Sequence, residues 1–581
     1  MNQDVFFKNF ELLADAPNGV QKLRELILQL AVMGKLVPQD PNDEPISSIS
    51  KEIETAKSRL IKERILKENK ISEKKELSEM KYKIPENWQW YRLGDVVFFQ
   101  EGPGIRNWQF KSHGIKLLNV KNILPNGNLI FENSDKFVSE EEFNEKYKHF
   151  LIEEGDLLFA SSGGSWGKSA WFEDPGYRVM LNTSTIRLRF YSEKFESNYL
   201  KHYLDSSFFR NQMEPQLVGM QPNFGSTHLG RTYIPIPPLA EQKRIVAKVD
   251  ELMALCDKLE SRSQKRQELQ SKLNSAALNR MLSAENPEEF EQYWQRICEN
   301  FDLLYDNPEN VEKLKQAILQ LAVQGKLVEQ NPEDEPASVL IEKIELEKER
   351  LVKKGEIKKF SPLPAVDSIE IPYEVPASWE WIRFGKIVES MMNGIYKHAK
   401  YYSDDGIGCL RMYNINGGEI NLKDLKRMIL TEEELKNYQL LNGDLLVNRV
   451  NSRELVGKAG VIRDFGEPLV FESKNIRVRL FMNEPLPDYI NILFQTREIR
   501  KTFEGDAKQT CGQASVNQVQ IENLLVPLPP LNEQKRIVEK VEQFMGLCDE
   551  LEAKLRKSRE DSEKLMEAVV KGLLEGAAAE I

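Results

Sequence analysis

The chain has 581 residues, 29% of them charged, a mean hydropathy of −0.49 and a formal net charge of −11. This length exceeds one ordinary core, so two or more domains are expected, and no run of about 18 apolar residues offers a membrane span. The acidity excludes a uniformly basic surface but not a DNA-binding face, because residues 84–238 carry roughly −2 and residues 374–530 roughly −1, the rest lying in helical segments outside them.

The start, "MNQDVFFKNFELLADAPNG", lacks the basic and apolar regions of a signal peptide. An amphipathic helix is expected over residues 20–35, with Leu23, Leu26, Ile27, Leu30 and Ala31 on one face and Gly34 near its end. "PQDPNDEP" breaks the chain, and a charged helix follows from about 46 to 70. The segments "GIKLLNVKNI", "GDLLFAS" and "TSTIRLRF" read as strands, and proline-rich "IPIPPL" closes the stretch. A long helix begins near Ala240 or Glu241 and runs to about Leu282. Its heptad stripe is Ile245, Val249, Leu252, Cys256 and Leu259. Such a stripe buries against partner helices or against its own domain, and the interspersed charges favour an exposed spacer of about 60 Å.

The same order then recurs. "FELLADAPNGVQKLRELILQLAVMGKLVPQDPNDEP" from Phe10 is answered by "FDLLYDNPENVEKLKQAILQLAVQGKLVEQNPEDEP" from Phe301 without a gap. "IPENWQWYRLGDV" from Ile84 is answered by "VPASWEWIRFGKIV" from Val375, and "IPIPPLAEQKRIVAKVDEL" from Ile234 by "VPLPPLNEQKRIVEKVEQF" from Val526. The second stripe is Ile537, Val541, Phe544, Cys548, Leu551 and Leu555. The chain is a tandem duplication of about 290 residues. Between the matched flanks, residues 95–232 and 386–524 resemble each other only faintly. A frame kept alike does one job twice, whereas inserts that differ do related but distinct jobs.

"SSGGSWGKSA", residues 161–170, has the look of a phosphate-binding loop but does not meet its requirements. Five residues before Gly167 stands Ser162 rather than glycine, and "AWFEDPGYRVM" after Ser169 reads as strand and turn rather than helix. The second copy keeps Gly457 and Lys458 but has Ala459 where a magnesium-binding hydroxyl is needed. A polar loop between two strands is expected instead. The five cysteines (256, 298, 409, 511 and 548) and five histidines (113, 149, 202, 228 and 398) show no metal-ligand spacing, and such sparse cysteine usage suits a reducing cytoplasm. No N-P-P-Y or D-P-P-Y tetrapeptide, F-x-G-x-G methyl-donor loop or H-E-x-x-H stands out. "DNPEN" at 306–310 answers "DAPNG" at 15–19 and reads as a helix-start turn. These features count against an ATPase or a self-sufficient methyltransferase. The paired strand-rich inserts count against a purely structural coiled coil.

The duplicated "PPLAEQKRIVAKVDEL" and "PPLNEQKRIVEKVEQF", the W-x-W…G openings at Trp88–Gly94 and Trp379–Gly385, and the G-D-L-L strands at Gly155 and Gly443 resemble the DNA-specificity subunit of type I restriction–modification enzymes over nearly the full length. The arm before Trp88 resembles only some subfamilies. The resemblance implies an α+β fold: a tandem pseudo-two-fold repeat with two mixed α/β target recognition domains separated by long paired antiparallel helices. The corresponding segments are 1–83, an N-terminal helical arm; 84–238, the first recognition domain; 239–373, a central helical region; 374–530, the second recognition domain; and 531–581, a distal spacer helix. It further implies a non-catalytic, cytoplasmic subunit that binds a bipartite asymmetric site in double-stranded DNA. Two methyltransferase subunits and restriction–translocation subunits would assemble on it, with S-adenosylmethionine, ATP and Mg in those partners and no cofactor or metal in this chain.

Base edges are read by Arg, Asn, Gln, Ser and Thr, and phosphates are held by Lys, Arg and backbone amides. Three loops per insert suit this. The first is "EGPGIRNWQFKSHG" with Arg106 and Lys111, matched by "MNGIYKHAKYY" with Tyr396, Lys397 and Lys400. The second runs from Ser161 to Lys168 and includes Ser162, matched by Asn448, Arg449, Asn451, Arg453 and Lys458. The third is "GMQPNFGSTHLG" with Gln221, Asn223 and Ser226, matched by "CGQASVNQVQ" with Gln513, Ser515 and Asn517. Each Asn, Gln or Ser has the alternative role of capping its own turn.

Overall fold

The computed structural model describes residues 10–44, 46, 50–63, 83–133, 135–217, 224–305, 307–357, 361–482, 486–506, 508–510 and 513–576. The chain divides into two compact units, one of Met1–Lys265 with Arg559–Ile581 and one of Arg266–Ser558.

In the first unit, α1 (Gly19–Val32) is the expected amphipathic helix, and its five predicted face residues are buried. It ends where Gly34 turns left-handed (φ +70°), a conformation that costs glycine little. The charged helix α2 (Ser50–Lys62) follows, shorter than the expected 46–70, whose remainder from residue 64 lies outside the described residues.

The insert opens with β1 (Gln89–Arg92), then β2 (Val97–Glu101), β3 (Ile115–Leu118), β4 (Phe137–Val138), β5 (Leu157–Ala160), β6 (Ser169–Trp171), β7 (Val179–Leu181) and β8 (Thr185–Phe190). Helices α3 (Ser197–Asp205) and α4 (Ser207–Met213) precede β9 (Tyr233–Ile236), which pairs antiparallel with β1. The insert therefore starts and finishes on adjacent strands. Its main sheet has the order β2-β8-β5-β6, and a smaller sheet, β4-β3-β7, joins β3 and β7 in parallel. Leu118, Leu158, Ala170, Val179 and Leu181 form the apolar layer shared by the two sheets.

The recurring G-D-L-L strand carries a buried clasp. Asp156, fully buried at the entry to β5, pairs with Arg187 at 3.0 Å and with Arg189, both from "TIRLRF" on β8. Buried charges persist only when paired in this way.

The long helix α5 (Leu239–Leu282) starts from the first unit. Ile245, Val249, Leu252 and Cys256 are buried in one core with Leu23, Leu26 and Ile27 of α1, so the first turns of the stripe pack on this unit's own arm. Residues 264–269 are exposed. The repeated E-Q-K-R motif is the docking point. Glu241 accepts from Gln39 Nε2, Gln242 Nε2 donates to Pro237 O at 2.8 Å, and Arg244 pairs with Asp43 at 2.7 Å. "PQDPNDEP" thus supplies Gln39 and Asp43 to seat the helix. Met566, Val569 and Leu573 join the same core.

The second unit repeats the plan with α6 (Pro308–Val323), α7 (Ala337–Lys353), β10 (Glu380–Arg383), β11 (Val388–Asn393), β12 (Tyr402–Leu410), β13 (Lys426–Met428), β14 (Leu445–Asn448), β15 (Val450–Asn451), β16 (Ala459–Val461), β17 (Leu469–Phe471) and β18 (Asn475–Leu480). After α8 (Leu486–Gln495) and α9 (Arg497–Asp506) come β19 (Lys508–Thr510), β20 (Gln513–Ser515), β21 (Leu525–Leu528) and α10 (Leu531–Gly576). The main sheet is β11-β18-β14-β16, the smaller one β13-β12-β17 with β12 and β17 parallel, and β10 pairs with β21. Two inserts of faint sequence likeness therefore share one strand order. The clasp returns as Asp444–Arg479 at 2.7 Å, and the docking point as Glu533 with Gln330 and Trp379 and Arg536 with Asp334 at 2.7 Å.

Candidate nucleic-acid interface

In each insert the first and second expected loops are bonded to one turn that local sequence patterns do not mark, and the third loop is bonded to the second. In the first unit this turn is 182–185, which leads into β8. Gly102 N, at the base of the first loop, donates to Thr185 O at 2.9 Å, and Thr183 Oγ1 donates to Pro103 O at 3.0 Å. Ser161 N, opening the second loop, donates to Ser184 O at 2.9 Å, and Phe224 N, from the third, donates to Ser161 O at 3.2 Å. Ser226 N closes the circle by donating to Glu101. In the second unit the turn is 472–475. Gly394 N donates to Asn475 O at 3.1 Å, Arg449 N to Lys474 O at 2.9 Å, and Val516 N to Arg449 O at 2.9 Å. The sequence signal for these turns is weak: a polar "NTS" and "ESK" between apolar strands. Ser184, at φ +68°, is one of three non-glycine residues with positive φ among the described residues.

The glycine at the base of the first loop is required by close approach. A Cβ on Gly102 would lie 2.0 Å from Asn182 O, and one on Gly394 2.2 Å from Glu472 O.

The second loop joins antiparallel strands β5 and β6, and its counterpart joins β14 and β16. Both hairpins close identically. Ala160 N donates to Lys168 O and Gly167 N to Ala160 O, each at 2.9 Å; Asn448 N donates to Lys458 O and Gly457 N to Asn448 O, each at 2.8 Å. A strand, not a helix, follows the Gly-Lys pair, so the geometry of a phosphate-binding loop is missing here. Ser162, at the tip side of this hairpin, is partly exposed, as is Lys168.

The loop residues take different places. Arg106, Lys111, Lys400 and Arg453 are exposed, while Arg449 and Lys458 are half-buried. Burial, and then the nearby Arg500 charge, lower the pKa of Lys458. Lys397 departs from the expectation of an outward cation: it lies 2.6 Å from Glu434 and 4.5 Å from the centre of the Tyr401 ring. Asn448 departs too. It is fully buried, donating to Asn475 Oδ1 at 3.0 Å and accepting from Asn451 Nδ2 at 2.9 Å, so it shapes the loop from inside. Asn517 caps the turn of helix at Gln518–Glu522, accepting from Gln520 N at 2.9 Å. Gln513 and Ser515 belong to β20, which pairs with β15 inside the second loop. Gln221 and Asn223 lie outside the described residues. Among the described residues no group of three or more His, Cys, Asp or Glu could hold a metal, and no helix is long and apolar enough to cross a membrane.

Comparison with known proteins finds relatives over most of the chain. The family model of the type I restriction modification DNA specificity domain covers residues 85–271 and 376–558. The chain is 31% identical to the type I restriction enzyme EcoAI specificity subunit of Escherichia coli, covering 95% of this chain and 93% of that one. It is 29% identical to the EcoEI specificity subunit of the same organism, covering 96% and 94%. Among solved structures, the HsdS subunit from Thermoanaerobacter tengcongensis aligns with a TM-score of 0.43 and 17% identity, covering 87% of this chain and all of that one.

Proposed function

The chain belongs to the specificity subunits of type I restriction–modification systems, which recognise DNA and are not the catalytic subunits, and on that premise we propose how it does so. Each insert reads one half of a split target in double-stranded DNA, residues 84–238 one half and 374–530 the other. The observation that carries this reading is the linking of three loops around one turn in both inserts, the first and second bonded to the turn and the third to the second, on a shared strand order with unlike loop sequences. A common scaffold with variable loops suits two readers of different sequences.

Arg106, Lys111, Lys168, Arg449, Arg453 and Lys458 hold phosphates or guanine edges. Ser162, Gln221, Asn223, Gln513 and Ser515 contribute amide or hydroxyl contacts. Lys397 and Asn448 position their loops rather than touch DNA. The repeated frame, comprising the arm 1–83, the central region 239–373 and the distal helix 531–581, offers equivalent docking places for two methyltransferase subunits, which restriction–translocation subunits join. Those partners carry the S-adenosylmethionine, ATP and Mg.

The test is methylome sequencing of a host carrying the complete system, followed by binding of the assembled methyltransferase to the motif found. A split asymmetric motif, bound by the complex in preference to scrambled duplex, is expected. A continuous motif would overturn the two-reader arrangement.

A further inference from the structure

Two large aromatic side chains stand out from the interface loops. Trp108 is 75% exposed and Tyr396 82% exposed. All eight tryptophans lie among the described residues, and Trp108 alone is exposed.

The two positions share one kind of tether, although the loop sequences barely match and Trp108 stands three residues after Ile105 but Tyr396 one after Ile395. Trp108 precedes Gln109, whose Nε2 donates to Glu142. Tyr396 precedes Lys397, whose Nζ pairs with Glu434. Glu142 and Glu434 are themselves the same position, since the backbone N–H of each donates to a capping hydroxyl three residues earlier, Ser139 Oγ or Thr431 Oγ1, at 3.2 Å. On the other side of each aromatic lies a buried isoleucine, Ile105 or Ile395. Each loop is thus pinned on both flanks, inward by an isoleucine and by a tethered polar side chain, with an aromatic ring held outward between them. Exposed cations stand close in sequence: Arg106 and Lys111 in one loop, Lys400 in the other.

A lone exposed apolar residue needs no explanation. Two beside the same kind of tether in otherwise divergent loops do, because both rings stand largely in solvent. A partner protein docking twice would meet them in the repeated frame, where the two copies match. These rings lie instead in the inserts, where the copies differ, and beside cations.

We propose that Trp108 and Tyr396 are apolar wedges pressed against the base stack, one in each half of the DNA target, unstacking a base step while the neighbouring cations hold the flanking phosphates. The proposal rests on the DNA-reading function above. It adds a contribution to specificity through the ease of deforming a step rather than through hydrogen bonds to base edges.

The experiment uses the complex assembled with its methyltransferase subunits and duplexes of the methylated motif carrying 2-aminopurine at successive positions. Native protein is expected to raise the fluorescence at one step in each half. W108A should abolish the rise in one half only and Y396A in the other, each weakening cognate binding about tenfold or more while leaving non-cognate binding unchanged. W108F and Y396F should retain most of both signals. Cognate binding with native affinity and unchanged fluorescence in the alanine variants overturns the wedge and leaves the DNA-reading function standing. Failure of W108A or Y396A to assemble with the methyltransferase, seen by gel filtration, overturns it in favour of a protein contact. A native complex that prefers no duplex would remove both readings.

Discussion

Lys458 is partly withdrawn from water with Arg500 nearby, and both effects disfavour its charge. A phosphate at this position would favour the charged form and so oppose both effects. Lys458→Ala should therefore weaken binding to cognate and non-cognate DNA alike and flatten the salt dependence by about one unit of slope, and Lys168→Ala should do the same from the first insert. An unchanged slope with an intact fold would remove either lysine from the contacts. Glu533 shifts in the opposite direction from the same cause: burial raises its pKa, against the lowering effect of donors from Gln330 and Trp379. The folded state then holds the proton more tightly than the unfolded one, so this group favours folding most below the ordinary carboxylate range. That contribution fades as pH rises through the raised value. Relative to the native chain, Glu533→Gln should be least favourable in acid and gain ground toward pH 7, measured by thermal unfolding across that range. A pH-independent difference would show that Glu533 does not titrate there. Both residues were visible as motif members in the sequence, but their burial was not. A helical period tells which face is apolar and is silent about a carboxylate at the first turn that a distant Gln and Trp enclose.

At the scale of elements, the helices were the more legible part. The stripe of α1, its glycine stop and the start of α5 are local patterns, and the observed bounds differ from expectation by a few residues. The loops were legible as loops but not as a cluster. Gln109 and Lys397 do the same tethering job with unlike chemistry, so their correspondence appears only through the glutamates that they reach. Helix α5 carries a prediction of its own as the proposed spacer between the two half-targets. Its residues 264–269 are exposed, so an insertion there disturbs little packing. Four residues added within 261–266 lengthen the helix by about 6 Å, and DNA rises about 3.4 Å per base pair. The spacer of the methylated motif should grow by one or two base pairs with both halves unchanged. A variant that folds and methylates at the original spacing would show that another element sets the distance.

For the whole molecule, the duplication predicts modularity. The stretches 95–232 and 386–524 are each flanked by a pair of adjacent strands, β1 with β9 and β10 with β21, so either can be exchanged without parting the frame. Replacing residues 95–232 by the corresponding insert of a relative should change one half of the methylated motif and leave the other, read by methylome sequencing. A change in both halves, or in neither, would refute the assignment of one reader per insert. The sequence by itself determined the duplication, the frame, the long helices and the family. These rest on side chains recurring at a fixed interval and on periods of a few residues, which need no knowledge of distant partners. Only the tertiary structure decided which residues form the candidate interface. The pairing of β8 with β2 and β5, and of β18 with β11 and β14, carries the turns 182–185 and 472–475 to the bases of loops far away in the chain. Long-range strand pairing is not encoded in local composition, and neither was the sorting of cations into those that face outward and those, like Lys397, that are spent within the fold.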